Sequence, residues 1–261
     1  MLKGIADINR RRRTSYQPQV VRVNAANYGI PQIRERVFVI AHRRGREFIL
    51  PPTTHGPANL SQPFLTAWDA IGHCNNIKPV SDLELQGRWA ELLNSIPEGH
   101  NYLWHTPKGG GKPLFGWRTR FWSFLLKLSK NLPAWTIPAS PGPATGPFHW
   151  RGRLLSVEEL CRLQTFPNEY RISGGRRTAQ RQIGNAVPAA LAELLGREVR
   201  RQLLGDKVGR RPLTLLPKRR YDCPPPEPVR RVARRYLHMI GDHAPHPGTG
   251  KGPLRRGRTI S

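Results

Sequence analysis

An α/β fold is predicted by two strand patterns near the N-terminus and one helix pattern near residue 200. Apolar and polar residues alternate over 21–25, and the run 37–40 is continuously apolar, as in a buried strand. After Pro188, leucine and valine recur at helical spacing to about residue 204. An amphipathic helix of this kind needs a sheet to pack on, so the three patterns indicate one layered core.

Composition points to a polyanionic partner. The 261 residues, 38% of them hydrophobic, are enough for one large domain or two small ones. Lys and Arg number 43 against 17 Asp and Glu, a net charge of +26, which favours nucleic acid over a role in solubility alone. No apolar run approaches the ~20 residues of a membrane span, and the N-terminus lacks the apolar core of a secretory signal. We therefore expect a cytoplasmic, nucleoid-associated protein with no membrane partner.

The order of patterns divides the chain into four parts. Residues 1–55 hold the end of a helix, a run of arginines and the two strands. Residues 56–150, the central segment, are rich in Pro, Gly and Trp and have only short periodic pieces. In residues 151–205 a capping box of Ser156 and Glu159 precedes one helix, and the helix after Pro188 follows. Residues 206–261 form a basic, Pro-rich tail, which is expected to be mostly disordered.

Two arginines stand at the entrance of the second strand. Residues two apart on a strand share a face, so Arg34 and Arg36 are expected to converge, with the amide of Gln32 nearby. A charged edge strand, protected from association, is the alternative.

The cysteines do not form a pattern typical of a metal site. Cys74, Cys161 and Cys223 are far apart and fit reduced thiols. His238 and other tail histidines lack a ligand spacing, so no metal is predicted.

Three stretches resemble, in order, motifs of the cytosine-5 DNA methyltransferases: NAANYGIPQIRERVFVIA (24–41), RLLSVEELCRLQTFPNEY (153–170) and QIGNAVP (182–188). The family carries its target recognition domain between the first two. The resemblance therefore implies the C-terminal portion of a Rossmann-like methyltransferase domain, interrupted by a recognition domain at 56–150, in a restriction-modification enzyme.

The resemblance also implies roles for single residues. Family members flip a cytosine out of double-stranded DNA, attack its C6 with a cysteine thiolate and transfer a methyl group from S-adenosyl-L-methionine to C5. By resemblance Arg36 would hydrogen-bond the cytosine O2, while Arg34 and Gln32 would brace the nucleophile loop. Gly184 and Asn185 would lie beside the cofactor; alternatively they form a turn that merely starts a helix.

In the central segment, aromatic residues at helical spacing between 117 and 128 are expected to form a small core. The basic residues are expected to face DNA: Arg118, Arg120, Lys108 and Lys112. Thr136, followed by Ile137, resembles the Thr-aliphatic pair of family recognition domains and completes the predicted DNA-binding set.

The motifs of the family's first half are missing from the chain. It contains no Phe-x-Gly-x-Gly cofactor loop, no Pro-Cys nucleophile and no Glu-Asn-Val acid. We therefore expect no methyl transfer by the chain alone. Either a complementary N-terminal subunit supplies these motifs, or the gene is truncated and its product acts at most as a non-catalytic DNA-binding module.

Overall fold

The structure, a computed structural model, describes residues 2–57, 62–74, 81–117, 121–206 and 211–241. In these ranges helices and strands follow in the order α1 (Leu2–Arg12), β1 (Gln17–Asn24), β2 (Glu35–His42), α2 (Ala67–Ile71), α3 (Val157–Leu163), α4 (Arg176–Asn185) and α5 (Ala189–Leu203). Short 3-10 turns lie between some of them, and one more, Arg234–Met239, follows α5. The described part of the chain includes no helix of the length and apolarity that a membrane crossing requires.

The sequence predicted that the run of arginines follows the first helix, but most of the run lies within the helix. Arg10, Arg11 and Arg12 form the last turn of α1, where cations oppose the negative end of the helix dipole. The side chain of Asn9 fixes the exit from the helix: its Oδ1 accepts from the backbone N of Tyr16 at 2.8 Å. The helix therefore leads directly into β1.

β1 and β2 form an antiparallel pair with one covered face and one open face. Val21 lies opposite Phe38 and Val20 opposite Val39. Phe38 and Ile40 pack toward α5, together with Val21 and Val23. On the outer face of the sheet, 57% of Val20, 61% of Val37 and 36% of Val39 is exposed. The apolar run 37–40 predicted burial on both sides, but the described residues supply a layer for one side only.

Within the part of the chain that the structure describes, the core consists of three apolar clusters. The first joins α2, α3 and Ile183, and the second joins β1, α5 and Phe48. The third lies within the central segment around Leu92, Leu114, Leu125 and Phe148. The apolar face of α5 is therefore covered by the chain's own sheet.

Residues 211–241, which we call the C-terminal strap, correct the prediction of a disordered tail. The strap is an extended segment that crosses all three clusters, with Leu213 on the second, Cys223 on the first and Tyr236 on the third. Polar contacts accompany the apolar ones: Arg220 N donates to Asp69 Oδ1 at 2.6 Å, and Tyr236 OH donates to Arg88 O at 2.6 Å. Its apolar residues pack in short groups onto different clusters, so they show no single periodicity along the sequence. The tail beyond residue 241 lies outside the described residues.

Candidate active site and nucleic-acid interface

The turn between β1 and β2 is built by the side chains of the first motif. Asn24 Oδ1 accepts from the backbone N of both Ala26 and Arg34 at 3.2 Å, which closes the turn. Tyr28 OH donates to Pro51 O at 2.9 Å. Gly29 has φ +83°, and a Cβ there would approach His55 Cε1 to 2.7 Å, so only glycine fits. The motif residues therefore fix the backbone just before β2.

Arg34 lies fully buried immediately before β2 and binds two distant segments of the chain. Its Nη2 donates to Gly184 O at 2.6 Å and to Ala186 O at 2.9 Å, and its Nη1 donates to Ile137 O at 3.2 Å. Burial, and secondarily the charge of Arg36, lowers its pKa to about 10, so the guanidinium stays protonated at neutral pH. One cation thus joins the first motif, the end of the central segment and the last motif.

Arg36 and Gln32, two residues after and before Arg34, differ in their burial and in their hydrogen bonds. Arg36 is half-buried, and its Nη1 donates to Glu35 O at 2.7 Å; burial lowers its pKa. Its side chain is on the face of β2 that carries Phe38, whereas Glu35 pairs with Arg22 across the sheet. Gln32 is fully buried, and its Oε1 accepts from Arg34 Nη1 at 3.4 Å. Gln32 Nε2 and Arg34 Nε have no hydrogen-bond partner among the described residues.

Gly184 and Asn185 end α4 rather than starting a helix. A Cβ on Gly184 would lie 2.5 Å from the backbone of Ala139, so glycine is required for the close contact between α4 and the end of the central segment. Asn185 is exposed at the helix C-terminus. A cavity of about 390 Å³ beneath α5 is lined by other residues, including Tyr28 and His55.

The second motif, residues 153–170, supports the end of α4 and the start of α5 through hydrogen bonds. Ser156 and Glu159 form the predicted capping box of α3. Gln164, fully buried, donates from Nε2 to Ile183 O at 2.7 Å, and its backbone O accepts from Ala189 N at 2.9 Å. The motif therefore ties α3 to α4 and α5.

The basic residues predicted to face DNA are on different parts of the central segment. Lys108 and Lys112 are exposed, and Lys108 Nζ lies 4.2 Å from the centroid of the Trp117 ring. Arg118 and Arg120 lie outside the described residues. Thr136 is exposed and donates from Oγ1 to Ile33 O at 2.7 Å, which joins the segment to the arginine motif.

The aromatic residues of the central segment correct the prediction of a helical core. Leu125 and Leu128 are buried, but the described residues around them form turns instead of a helix. Trp117, Phe121 and Trp122 are 40–47% exposed. The backbone here makes long-range contacts that a local pattern does not reveal: Leu125 N donates to Ala144 O at 2.9 Å, and φ of Leu125 is +52°.

None of the three cysteines is activated. Burial is the main cause that raises the pKa of each thiol, to about 12 for Cys74 and above the ordinary value for Cys161 and Cys223. The sequence predicted no metal, but His73, Cys74 and Glu158 bring three potential ligand atoms within 4.8 Å of one another. Glu158 there pairs with Arg162, and the Cys74 thiol is protonated at neutral pH, which disfavours a cation at this point.

Comparison with known proteins identifies the family. A profile for C-5 cytosine-specific DNA methylases matches residues 8–201. The chain is 39% identical over 206 residues to the type II methyltransferase M.SacI of Streptomyces achromogenes, covering 72% of this chain and 53% of the relative. It is 32% identical over 179 residues to M.NgoFVII of Neisseria gonorrhoeae, covering 66% of this chain and 47% of that relative. The structure of the Entamoeba histolytica methyltransferase EhMeth matches with a TM-score of 0.44 and 14% sequence identity. The match covers 77% of this chain and 58% of that structure.

The chain thus spans about half the length of the relatives it matches. The profile covers all three motifs and the residues that they position, including Arg34, Arg36 and Asn185. This chain belongs to the C-5 cytosine-specific DNA methylase family.

Proposed function

We propose that this chain is the C-terminal half of a DNA cytosine-5 methyltransferase of a restriction-modification system. It would contribute target recognition and contacts to the flipped cytosine, and would act on the nucleoid in the cytoplasm. The observation that carries the proposal is the position of Arg34, whose buried guanidinium joins the first motif to the end of the central segment and to the last motif.

Arg36 is the residue proposed to touch the substrate. It follows the fixed Arg34 by two positions, is half-buried, and has a side-chain bond only to the neighbouring carbonyl of Glu35 among the described residues. A guanidinium held in this way could donate to the cytosine O2 and stabilise negative charge that develops on the ring during attack at C6. Arg34 and Gln32 would act as positioning residues.

The cofactor site would be shared between this chain and a second one. S-adenosyl-L-methionine supplies the methyl group in this family. Of the described residues, Asn185 offers an exposed amide at the end of α4, and Gly184 lets that helix end approach Ala139. These groups would form one wall of the cofactor site, and the glycine-rich loop would come from the second chain.

A complementary N-terminal subunit is the proposed source of the missing parts. The chain matches about half of each relative, and the pKa values of all its cysteine thiols are raised, opposite to what a nucleophile needs. The outer face of the sheet, formed by Val20, Val37 and Val39, would be one surface that such a subunit covers. The central segment, with Lys108, Lys112, Arg118, Arg120 and Thr136, would contact double-stranded DNA as the recognition domain.

The test is methyl transfer from labelled S-adenosyl-L-methionine to mixed-sequence duplex DNA. The full chain is assayed alone, and then with an N-terminal half that carries the Pro-Cys and Glu-Asn-Val motifs. We expect activity only in the mixture, and its loss in Arg36→Ala. Arg231→Ala removes an exposed arginine of the C-terminal strap and should leave the activity unchanged.

Activity of the chain alone would refute the need for a partner. A mixture that stays inactive while the chain still binds DNA would instead support the truncated, non-catalytic DNA-binding module.

A further inference from the structure

Two tryptophans of the central segment meet at the surface beside the arginine motif. The ring centroids of Trp122 and Trp135 are 5.4 Å apart, with an interplanar angle of 74°. Trp122 remains 47% exposed, and Trp135 is half-buried beneath it. Indole rings are usually well buried, so an exposed pair of this kind indicates a binding surface.

Backbone pairing places Trp135 next to the proposed cytosine site. Ala134 N donates to Pro31 O at 2.9 Å, and Ile33 N donates to Ala134 O at 2.8 Å. On the other side of Trp135, Thr136 Oγ1 donates to Ile33 O at 2.7 Å. Trp135 is therefore fixed alongside residues 31–33, immediately before Arg34.

Hydrogen bonds to its backbone fix the turn that carries Trp122. Asn101, which is buried, donates from Nδ2 to Trp122 O at 2.7 Å, and Phe124 N donates to Phe121 O at 2.9 Å. Gly146 N donates to Ser123 O at 2.8 Å. The backbone is thus held inward while the Trp122 ring points outward, an arrangement that pre-organises the ring for contact.

We propose that Trp122 and Trp135 form a stacking platform for a nucleobase next to the flipped cytosine. The inference rests on the proposed function and adds the residues that would hold the duplex open at the target. Stacking on an aromatic side chain tolerates any base, because every base has a π-face. The net charge of +26, and the Lys108 cation over Trp117 elsewhere on the same segment, favour a nucleic acid over an apolar protein as the partner of this segment.

Binding of the full chain to labelled mixed-sequence duplexes tests the platform, since the target sequence is not needed. One duplex is fully paired, and the other is identical except for a single bulged cytosine; affinities are measured by fluorescence anisotropy over a salt series. We expect tighter binding to the bulged duplex, and loss of about fivefold or more of that affinity in Trp122→Ala. The slope of affinity against salt should not change, because no phosphate contact is removed.

Two variants sharpen the comparison. Trp122→Phe keeps an aromatic face and should retain most of the preference for the bulged duplex. Tyr221→Ala removes an aromatic ring that is 91% exposed on the C-terminal strap, and should behave as the unmodified chain.

The outcomes separate the platform from the proposed function. If the chain binds DNA but Trp122→Ala keeps the preference, the platform is wrong and the methyltransferase proposal stands. If the unmodified chain binds neither duplex at low salt, both proposals fail. If Trp122→Ala weakens association with the N-terminal half and leaves DNA binding intact, the tryptophan pair is a protein interface, which also overturns the platform.

Discussion

At the scale of single residues, Arg34 is a buried cation whose partners are carbonyl oxygens. No carboxylate contacts its guanidinium among the described residues, and its acceptors are backbone groups of residues 137, 184 and 186 together with the side chain of Gln32. Hydrogen bonds to a charged donor are stronger than neutral ones, and the carbonyl dipoles take the place of a counter-ion. The residue therefore stabilises the relative position of three chain segments.

Replacing this guanidinium should destabilise the whole fold. We expect Arg34→Met to lower the free energy of unfolding by about 3 kcal/mol, because several buried carbonyl groups lose their donor. Urea denaturation followed by circular dichroism measures the change. Arg36→Met, at a half-buried position with one side-chain bond to a neighbouring carbonyl, is the matched control and should unfold close to the original midpoint. Equal midpoints for both variants would contradict the role of Arg34.

Lys127 gives the stability a dependence on pH. Its side chain is 5% exposed and donates to Ile96 O at 2.9 Å; burial lowers its pKa to about 8, from 10.5. The folded protein therefore loses this proton at a lower pH than the unfolded chain does. Between pH 8 and 10.5 the unfolded chain binds more protons, so this group makes stability rise with pH.

The measurement is the free energy of unfolding at several pH values in that interval, for the original chain and for Lys127→Met. We expect the variant to lack the part of the pH slope that Lys127 contributes. Parallel curves would show that Lys127 titrates normally in the folded protein.

At the scale of secondary structure elements, the two-stranded sheet is covered on one side only. Val21 and Phe38 pack toward α5, whereas Val20 and Val39 form an exposed cross-strand pair on the outer face. An apolar sheet face of this kind is typical of an interface.

Charge on this face should block assembly without harming the fold. We expect Val20→Lys together with Val39→Lys to reduce methyl transfer in the mixture with an N-terminal half by tenfold or more, about 1.4 kcal/mol of association free energy. The melting temperature of the chain alone should stay the same. Val229→Lys, on the C-terminal strap and 49% exposed, is the control. Full activity of the double variant would exclude this face from the subunit interface.

The elements that the sequence predicts are those with local signals. The capping box of Ser156 and Glu159, the helix after Pro188 and the strands around residues 20 and 38 all form. The spacing of the aromatic residues between 117 and 128 predicts a helix that the described residues do not form, because hydrogen bonds to distant residues such as Ala144 fix that backbone. The residues of the candidate site could be named by resemblance, but the backbone acceptors of Arg34 lie 103–152 residues away along the chain and carry no pattern of their own.

At the scale of the whole molecule, the C-terminal strap connects the central segment to the rest of the fold. Lys130, which is buried, pairs with Glu98 and donates to Pro225 O at 2.9 Å, while Glu227 N donates to Glu98 Oε1 at 2.8 Å. The whole strap lies after residue 201, where the family match ends. It is thus an addition to the shared part that contributes to the core of this chain.

Loss of the strap's main anchor should therefore loosen the central segment. Tyr236 is 2% exposed, stacks on Trp89 at 6.0 Å between ring centroids, and donates its hydroxyl hydrogen to Arg88 O. We expect Tyr236→Ala to lower the free energy of unfolding by about 3 kcal/mol, as for other large aromatic deletions from a core. Tyr236→Phe keeps the stacking and should lose about 1 kcal/mol. Thermal unfolding of the two variants measures the difference, and equal losses would show that only the hydroxyl matters.

The path of the strap also has a consequence for folding kinetics. Its contacts join residues far apart in sequence: Arg219 to Pro63 across 156 positions, Arg220 to Asp69 across 151, and Tyr236 to Arg88 across 148. Contacts of high contact order form slowly, because the entropy of closing a long loop must be lost before the contact can stabilise anything. The three clusters should therefore collapse first and the strap should dock last. The central segment should reach its full stability only in this last, slow step of folding.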